Sequence, residues 1–401
     1  MRVAHIITRM IVGGAQENTL YTCLDLQQQY GDEVTLITGP ATGPEGDLLQ
    51  RHPRGSEVNV VSSPLMRRAI HPWRDWQCLR WLRRELLKLR PDVVHTHSAK
   101  GGILGRFAAH RTGVPAIVHT VHGAPFHEYQ NAIARGLSRR CECWAARRCH
   151  HLISVADAMT DRLATAGVAP REMFSTIYSG MEVEPFVEAQ SLRAAVRSQF
   201  GFRDEHVVIG KVARLFELKG HEYVIQSAVD VCRRNPDARF LFVGDGVLRG
   251  RLEKQIADAG LTEHFVFAGL RPPTEIPELI AAMDLLVHAS LREGLARALP
   301  QALIAGKPVV SFDIDGAREV ALDGITGRLL PPQDVAALAE ALMQLSSDEA
   351  LRQRLGDEGR RRFTEQFRHQ TMTAQIRRVY ERVLAGERGF GGAAKRVSAG
   401  G

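Results

Sequence analysis

Short runs of apolar residues alternate along the chain with longer stretches in which apolar positions recur every three or four residues. The short runs are typical of buried β-strands, and the longer stretches are typical of amphipathic helices. Because parallel strands need crossover helices between them, this alternation predicts parallel sheets covered on both faces. In the first half, strands are expected at residues 3–8, 34–38, 58–61, 93–95, 116–121 and 151–155, and amphipathic helices at 73–89 and 133–148.

The alternation pauses near residues 180–190 and then restarts. In a chain of 401 residues, such a pause predicts two α/β domains of ordinary size. We place the first at residues 1–187 and the second at 188–366, followed by a helix at 367–386 that returns to the first domain. The Gly-, Ala- and Ser-rich residues 387–401 predict a disordered tail. In the second half, strands are expected at residues 207–212, 240–243, 265–267, 285–288 and 308–312, and helices at 222–233, 248–259, 275–283, 299–305, 336–345 and 349–366.

The loops that follow the predicted strands are the candidate sites, because open α/β sheets bind ligands outside the carboxyl ends of their strands. Gly13-Gly14 opens a helix after the first strand, where backbone N–H groups can approach an anion. A tight turn without a ligand explains this Gly pair equally well. His122-Gly123 ends a later strand, where an imidazole can bind a hydroxyl, move a proton or merely cap the loop.

Two cations follow the first strand of the second domain. Arg214 ends that strand, and Lys219-Gly220 begins the next helix. Together with the helix N–H groups they provide the neutralisation that a leaving diphosphate needs when no metal is present, although a solvated cationic loop is the alternative. Gly244 and Arg271 follow the next two strands, where a turn and a surface position are the competing explanations.

The segment at residues 290–303 follows the predicted strand at 285–288 and combines several polar groups. The Glu293 carboxylate can accept hydrogen bonds from hydroxyls, and the N–H groups of Gly294 and Leu295 can face a phosphate or a sugar. Gln301 lies in the helix that begins near the same loop. A turn with a solvated Glu293 is the alternative interpretation.

This segment resembles the E-x-x-x-x-x-x-x-E motif of the retaining glycosyltransferases of family 4, which have the GT-B fold. Glu293 matches the first Glu of the motif, and Gln301 replaces the second. Several further motifs, in the same order, bring the resemblance to about residues 1–385. They are the Gly13-Gly14 loop, His122-Gly123, the Arg214 and Lys219-Gly220 pair, and the segments at 305–310 and 315–319.

The resemblance implies two Rossmann-like domains facing across a cleft that holds a nucleotide-diphosphate sugar. Arg214 and Lys219 would stabilise the departing diphosphate, and Glu293 and His122 would act on the donor sugar. Gly13, Gly14, Gly244, Arg271, Gly294 and Leu295 are further donor-binding candidates. Gln301 would contact the ribose without the charge of the family Glu, so ribose affinity or donor choice would change. The implied reaction is transfer to a glycan or lipid-linked acceptor with retention of configuration and without a metal or other cofactor, in cell-surface polysaccharide or glycolipid synthesis.

The charge distribution suggests a binding partner, and the composition suggests a cellular compartment. Residues 51–150 hold 18 Lys and Arg against 6 Asp and Glu, and the basic residues at 67–90 are interleaved with tryptophans. A helix lying on an anionic membrane surface, a nucleic-acid contact and a solvated face all explain this segment. The chain has only six cysteines and has no apolar stretch of about 20 residues, which predicts a cytoplasmic protein. Residues 67–90 are a candidate peripheral contact at the inner membrane face.

Two other clusters suggest metal ions but fit them poorly. Asp313-Ile314-Asp315 is a D-x-D sequence, yet it follows a strand inside the second domain. Cys141, Cys143 and Cys149 lack C-x-x-C spacing, so apolar packing is favoured over zinc. We therefore expect no metal site.

Three other functions remain as alternatives to sugar transfer. A nucleotide-sugar epimerase of the same fold would isomerise the donor without an acceptor. A non-catalytic nucleotide-sugar-binding paralogue has the replacement by Gln301 as its only support. A nucleic-acid-binding module would show strongly salt-dependent affinity for oligonucleotides, and we expect no nucleic-acid partner.

Overall fold

A computed structural model of the protein describes residues 1–43, 46–127 and 129–387. The chain separates into two compact units. The first comprises residues 1–181 and the C-terminal segment from residue 368, and the second comprises residues 182–367. Of the predicted tail at 387–401, all but Glu387 lie outside the described residues.

The first unit is built on a seven-stranded parallel sheet with the strand order β3-β2-β1-β4-β5-β6-β7. Three of its strands are buried at every position and two further ones at every position but the first, and they read as apolar runs interrupted by histidine, serine and threonine. Such strands are typical of sheets that have helices on both faces. The strands are β1 (Arg2–Ile6), β2 (Glu33–Thr38), β3 (Asn59–Ser62), β4 (Val93–His97), β5 (Ala116–Val121), β6 (His151–Ser154) and β7 (Phe174–Thr176), of which β4, β5 and β6 are buried throughout and β1 and β2 from their second residue onward.

Helices connect these strands, and the last helix of the chain joins the first unit. In the first unit they are α1 (Gly14–Tyr30), α2 (Leu48–Arg51), α3 (Pro72–Leu89), α4 (Ala99–Arg111), α5 (Ala132–Ala146) and α6 (Asp157–Thr165). The final helix, α15 (His369–Leu384), packs on α1. His369 and Thr373 both bond the buried Asp25 of α1, at 2.8 and 2.7 Å. The predicted return of the C-terminal helix to the first domain is therefore confirmed.

The second unit is a six-stranded parallel sheet with the order β10-β9-β8-β11-β12-β13. Its central strands carry the core, with Phe240, Phe242 and Phe312 fully buried. The strands are β8 (Val207–Val212), β9 (Ala238–Val243), β10 (Phe265–Gly269), β11 (Leu285–His288), β12 (Val309–Phe312) and β13 (Gly327–Leu330). The helices are α7 (Glu184–Glu188), α8 (Arg193–Gln199), α9 (His221–Arg234), α10 (Arg249–Asp258), α11 (Ile276–Ala282), α12 (Ala298–Ile304), α13 (Val335–Ser347) and α14 (Glu349–Phe363).

The strand order reverses once in each sheet. In the first unit β1 lies between β2 and β4, and in the second unit β8 lies between β9 and β11. At such a reversal the connections leave in opposite directions and open a crevice at the carboxyl ends of the two central strands. The β1/β4 and β8/β11 reversals are therefore the places in each unit where a ligand is expected.

Two short strands and the start of the second unit differ from the sequence pattern. β7 and β13 have only three and four residues, and the periodicity did not reveal them. Residues 182–187, which the sequence assigned to the first domain, lie in the second unit. The reason is that α7 packs against α11 and α12 of that unit.

Candidate active site

The predicted site residues lie in both units, and each group is described by itself. Gly13, Gly14 and His122 follow β1 and β5 of the first unit. The remaining eight belong to the second unit, where they follow β8, β9, β10 and β11 or lie in α12. They are Arg214, Lys219, Gly244, Arg271, Glu293, Gly294, Leu295 and Gln301.

In the second unit, the strand reversal brings Lys219 and Glu293 together. Lys219 lies between β8 and α9, and Glu293 lies in the loop after β11. The Lys219 ammonium donates a hydrogen bond to Glu293 Oε1, and both side chains are about one-fifth exposed. His288, at the end of β11, approaches the same carboxylate, with Nε2 at 3.8 Å from Oε1. A cation and a carboxylate are thus exposed side by side at the carboxyl ends of β8 and β11.

Backbone contacts hold the two loops against each other. The Leu291 N–H donates to the Leu218 carbonyl at 2.8 Å. Gly220 has φ +66°, and a Cβ at this position would lie 1.8 Å from the carbonyl oxygen of Ala289. Only glycine permits both the left-handed conformation and this approach. The glycine after Lys219 therefore sets how closely the lysine lies to the end of β11.

The loop after β11 is also fixed from the other side. The Glu293 N–H donates to the Asp315 carboxylate at 2.8 Å, and the Gly316 N–H donates to the Gly294 carbonyl at 3.0 Å. The other carboxylate of the D-x-D sequence, Asp313, forms a bidentate pair with Arg318 at 2.8 and 2.6 Å. The two aspartates thus serve different protein partners, and Asp315 orients the loop that carries Glu293.

The charges of this group are strongly coupled. Burial raises the pKa of the Glu293 carboxyl, but the interactions with His288 and Lys219 outweigh burial and lower the pKa to about 2. Burial lowers the pKa of His288. Glu293 is therefore ionised at neutral pH and is a permanent hydrogen-bond acceptor.

A buried lysine that the sequence interpretation missed lies on β8. Lys211 is 1% exposed, and its Nζ has no hydrogen-bond partner among the described residues. Burial, with the nearby charge of Lys219, lowers the pKa of Lys211 to about 7. A polar residue inside an otherwise apolar strand was the available sequence signal.

The other predicted residues of the second unit have contacts of their own. Arg214 is exposed, with its guanidinium 5.1 Å from the Phe216 ring centroid. Arg271 is held by the Ala268 carbonyl and by Glu275, at 2.8 and 3.3 Å. Gly294, Leu295 and Gln301 are partly exposed. Gly244 permits a close backbone approach, because a Cβ there would lie 2.1 Å from the Ala213 carbonyl oxygen.

In the first unit, His122 is the outer member of a row of imidazoles. His122 Nε2 lies 3.1 Å from His97 Nδ1, and His97 Nε2 lies 3.0 Å from His5 Nδ1. His5 is fully buried on β1, and its Nε2 has no hydrogen-bond partner among the described residues. The sequence interpretation found His122 but missed His5 and His97, although a histidine repeated at alternate positions of β4 was a visible signal.

Burial keeps the two inner members of the row, His5 and His97, neutral. Burial lowers the pKa of His5 to about 3 and lowers the pKa of His97 and of its neighbour His95 well below the usual range. His5, His95 and His97 have nitrogens within 4.8 Å of one another, close enough for a metal ion. Both nitrogens of His95 contact hydroxyls, of Tyr380 and Thr120, at 2.5 and 2.7 Å. Apart from His5 Nε2, the ring nitrogens of the cluster therefore take part in a hydrogen-bond network, which positions His122.

Gly13 and Gly14 begin α1 at the carboxyl end of β1. The Gly13 carbonyl accepts hydrogen bonds from the N–H groups of Gln16 and Glu17, at 3.1 and 3.0 Å. Its φ of 170° is extended, so any residue could adopt the backbone conformation. Only the Gln16 side chain lies near an added Cβ, at 2.9 Å. Neither conformation nor packing requires this glycine.

Two Rossmann-like units with parallel sheets, each with polar side chains at its strand reversal, define the architecture of the GT-B glycosyltransferases. The solved structure of the Anabaena protein HepE in complex with UDP-glucose shares this fold. Its TM-score is 0.79 at 22% identity, covering 95% of this chain and 99% of that chain.

The sequence comparisons identify the family. The model for Glycosyltransferase Family 4 matches residues 12–184, and the model for Glycosyl transferases group 1 matches residues 193–362. A 2-deoxystreptamine glucosyltransferase of Streptomyces kanamyceticus is 30% identical over 76% of this chain and 82% of its own length. An Escherichia coli enzyme, UDP-Gal:alpha-D-GlcNAc-diphosphoundecaprenol alpha-1,3-galactosyltransferase, is 29% identical over 88% of this chain and 89% of its own. The chain belongs to glycosyltransferase family 4 and is a glycosyltransferase that uses nucleotide sugars.

Proposed function

We propose that the protein transfers a sugar, with retention of configuration and without a metal, from a nucleotide-diphosphate donor to a lipid-linked or glycan acceptor. The observation that carries this proposal is the Lys219–Glu293 pair at the β8/β11 reversal. A cation and an ionised carboxylate side by side match two adjacent parts of a nucleotide sugar, the diphosphate and the sugar. The diphosphate needs a positive partner, and the sugar hydroxyls need an acceptor.

In the proposed mechanism, Lys219 exchanges its bond to Glu293 for the diphosphate of the donor. Lys219 and Arg214 then neutralise the charge that develops as the bond between sugar and phosphate breaks. These preorganised cations provide the charge neutralisation that a metal ion provides in other phosphate chemistry. We therefore propose a metal-independent reaction. The N–H groups of Gly294 and Leu295, together with Gly13, Gly14, Gly244 and Arg271, are the further donor contacts that we propose.

Glu293 and His122 are the residues that we propose to act on the donor sugar. Glu293 accepts hydrogen bonds from its hydroxyls throughout the neutral pH range, because its pKa is about 2. His122 is hydrogen-bonded to His97 and can donate or accept a hydrogen bond at the sugar. Gln301 is the proposed ribose contact.

The acceptor class and the place of action are further parts of the proposal. The Escherichia coli relative acts, by its name, on a sugar carried by a lipid diphosphate. The first unit exposes Trp73 and Trp76 among the basic residues at 67–90. Aromatic and basic residues on one helix fit the surface of an anionic membrane. We therefore propose cell-surface polysaccharide or glycolipid synthesis at the cytoplasmic face of a membrane. In the described part of the chain, no helix is long and apolar enough to span one.

The test is a screen of the purified protein against UDP-, GDP- and ADP-sugars, with chelator present, followed by substitution of Glu293. One donor should stabilise the protein and slowly lose its sugar, and the product should keep the anomeric configuration by NMR. Glu293→Gln should reduce turnover at least about 100-fold, because it removes the charge that accepts the hydroxyl hydrogen bonds.

The matched control is Glu217→Gln, which removes an exposed carboxylate from the loop that also carries Lys219 and should leave turnover unchanged. Equal turnover in the two variants would exclude the proposed role of Glu293. Isomerisation of the donor without an acceptor would identify an epimerase instead. Strict dependence on a divalent cation would overturn the metal-independent mechanism.

A further inference from the structure

Lys211 lies near the Lys219–Glu293 pair, and the proposed mechanism gives it no role. It is the penultimate residue of β8, a central strand that pairs with β9 and β11. Its side chain is buried in the second unit, close enough to the pair for the charges of Lys219 and Glu293 to act on its amine. A titratable group is thus placed at the strand reversal, inside the protein and next to the loops that carry proposed donor contacts.

The surroundings of Lys211 suit a neutral amine better than an ammonium. Its Nζ has no hydrogen-bond partner among the described residues, and its neighbour on β9 is Phe242. An ammonium has three N–H donors to satisfy, and burial of a charge without partners is unfavourable. Burial accordingly lowers the pKa of Lys211 to about 7. A change in the charges around Lys211 therefore changes its protonation at neutral pH.

Charged groups in the two loops and in α9 act on Lys211. Lys219 opposes protonation of the amine, whereas Glu293 and Glu222, in the first turn of α9, favour it. In the free protein Lys219 is bonded to Glu293, so a cation already compensates this carboxylate. With Lys211 neutral, the charges of Lys219 and Glu293 balance each other.

The first turn of α9 and the end of β11 add further titratable groups. His221 begins α9 and His288 ends β11, and the charge of Lys211 acts on both imidazoles. Burial lowers the pKa of His221 to about 2 and also lowers the pKa of His288, so both are neutral above pH 7. Tyr223, also in the first turn of α9, packs edge-on against Phe312. Among these groups, Lys211 is the one that is balanced between its two protonation states near neutral pH.

We propose that Lys211 takes up a proton when the diphosphate of the donor binds, and that its ammonium then replaces Lys219 as the countercharge of Glu293. This role rests on the proposed transferase function and adds a positioning residue to it, because Lys211 acts on the donor sugar through Glu293.

Two changes favour the ammonium when the donor binds. Lys219 exchanges Glu293 for the diphosphate, so Glu293 loses its cation, and the diphosphate adds negative charge of its own. The lone pair of Lys211 Nζ forms the new N–H bond, and the proton comes from the solvent. Because the diphosphate gains a further negative charge when its bond to the sugar breaks, the positive charge of Lys211 also favours this step.

The test is calorimetric titration of the full-length protein at pH 8, in Tris and in HEPES, whose ionisation enthalpies differ. The probe is UDP, GDP or ADP, whichever the donor screen selects. At pH 8 the terminal phosphate, with a pKa of about 6, is already ionised and contributes no proton change. We expect uptake of roughly half a proton or more per bound nucleotide. Because the complex holds more protons than its parts, affinity should fall roughly three- to sevenfold from pH 7.5 to 8.5.

Lys211→Met should reduce the uptake below about one-tenth of a proton and remove most of the pH dependence, since methionine fits an apolar site but cannot titrate. The matched control is Lys307→Met, which should keep both. Lys307 is also buried in the second unit, and burial lowers its pKa to about 7, but the charges that act on it include those of Arg193 and Asp284 and not the Lys219–Glu293 pair. Equal losses in the two variants would overturn the proposal, because removal of any buried lysine would then have this effect.

The remaining outcomes separate this role from its alternatives. Uptake that persists in Lys211→Met but disappears in His288→Gln would assign the proton to His288 and overturn the proposal. If the methionine variant does not fold, Lys211→Gln repeats the test and should also take up no proton. Nucleotide binding without proton uptake in the wild-type protein would refute the role of Lys211 alone. Failure of UDP, GDP and ADP to bind at all would refute the proposed function as well.

Discussion

His122 illustrates how a buried network orients one partly exposed residue. In the row from His5 through His97 to His122, the buried His5 and His97 are neutral and each carries one ring proton. The nitrogen that carries the proton on His5 therefore determines whether His97 Nδ1 faces His122 as a donor or an acceptor. A buried N–H without a partner is rarer than a buried lone pair without one. We infer that His5 leaves its Nε2 lone pair unpartnered and donates from Nδ1 to His97. His97 then donates to His122 Nε2, and His122 carries its proton on Nδ1.

At the residue scale, we predict that His97→Phe lowers kcat roughly 10- to 100-fold, because His122 loses the bond that sets its orientation and tautomer. His95→Phe is the matched control, since His95 is equally buried in the same cluster but bonds Thr120 and Tyr380 instead. The measurement is a double-mutant cycle with His122→Ala. If His97→Phe and His122→Ala are additive in kcat, His97 does not act through His122.

The pairing of β8 with β11 brings two charged side chains together. Lys219 and Glu293 are 74 positions apart, and they meet because β8 and β11 are neighbours in the sheet. At Gly220 the two loops lie so close together that there is no room for a side chain between them. The site thus depends on the packing of loops as much as on the identity of the two charged residues.

At the element scale, we predict that Gly220→Ala destabilises the second unit more than an ordinary left-handed glycine does. The new Cβ would meet the Ala289 carbonyl, in addition to the cost of about 1 kcal/mol for a left-handed alanine. Gly260→Ala is the matched control, since Gly260 has φ +70° and nothing within 4 Å of an added Cβ. Urea unfolding followed by circular dichroism measures both. Equal losses of free energy of unfolding would show that the loop moves without cost.

The two units differ in the number of buried histidines whose pKa values are lowered. In the first unit, burial lowers the pKa of His5 to about 3 and of His151 to about 4, and it lowers the pKa values of His95, His97 and His119 well below the usual range. In the second unit, burial lowers the pKa of His221 to about 2 and also lowers the pKa values of His206 and His288. Neutral imidazole is the folded form in each case.

At the scale of the molecule, we predict that the first unit loses more stability than the second between pH 6.5 and 5.5. A histidine whose folded pKa is lowered contributes stability above its unfolded pKa of about 6.5 and loses it as the pH falls, because the unfolded chain binds the proton first. The loss is roughly 1 kcal/mol per histidine between pH 6.5 and 5.5.

The measurement is urea unfolding at pH 8, 7 and 5.5. All four tryptophans, Trp73, Trp76, Trp81 and Trp144, lie in the first unit, so their fluorescence reports on that unit alone. Circular dichroism reports on both units. If the urea midpoint of the fluorescence transition is the same at pH 7 and pH 5.5, the prediction is contradicted. The internal control is that the midpoint of the fluorescence transition is the same at pH 8 and pH 7.

Periodicity predicted most of the secondary structure but not the smallest elements. The predicted helix at residues 73–89 agrees closely with Pro72–Leu89, because the helix has a long amphipathic pattern. β7 and β13 were not predicted, because three or four residues are too few to show a period. Pairing with a neighbouring strand stabilises them.

The order of elements, the loops that carry Lys219 and Glu293 and the glycines of those loops were determined by the sequence alone, because periodicity and turn chemistry are local properties. The meeting of Lys219 with Glu293, the row of His5, His97 and His122, and the position of Lys211 near the Lys219–Glu293 pair were decided only by the tertiary structure. The physical reason is the strand order. Parallel strands pair through crossovers that pass over their neighbours, so the residues that meet at a reversal are distant in the chain and share no local signal.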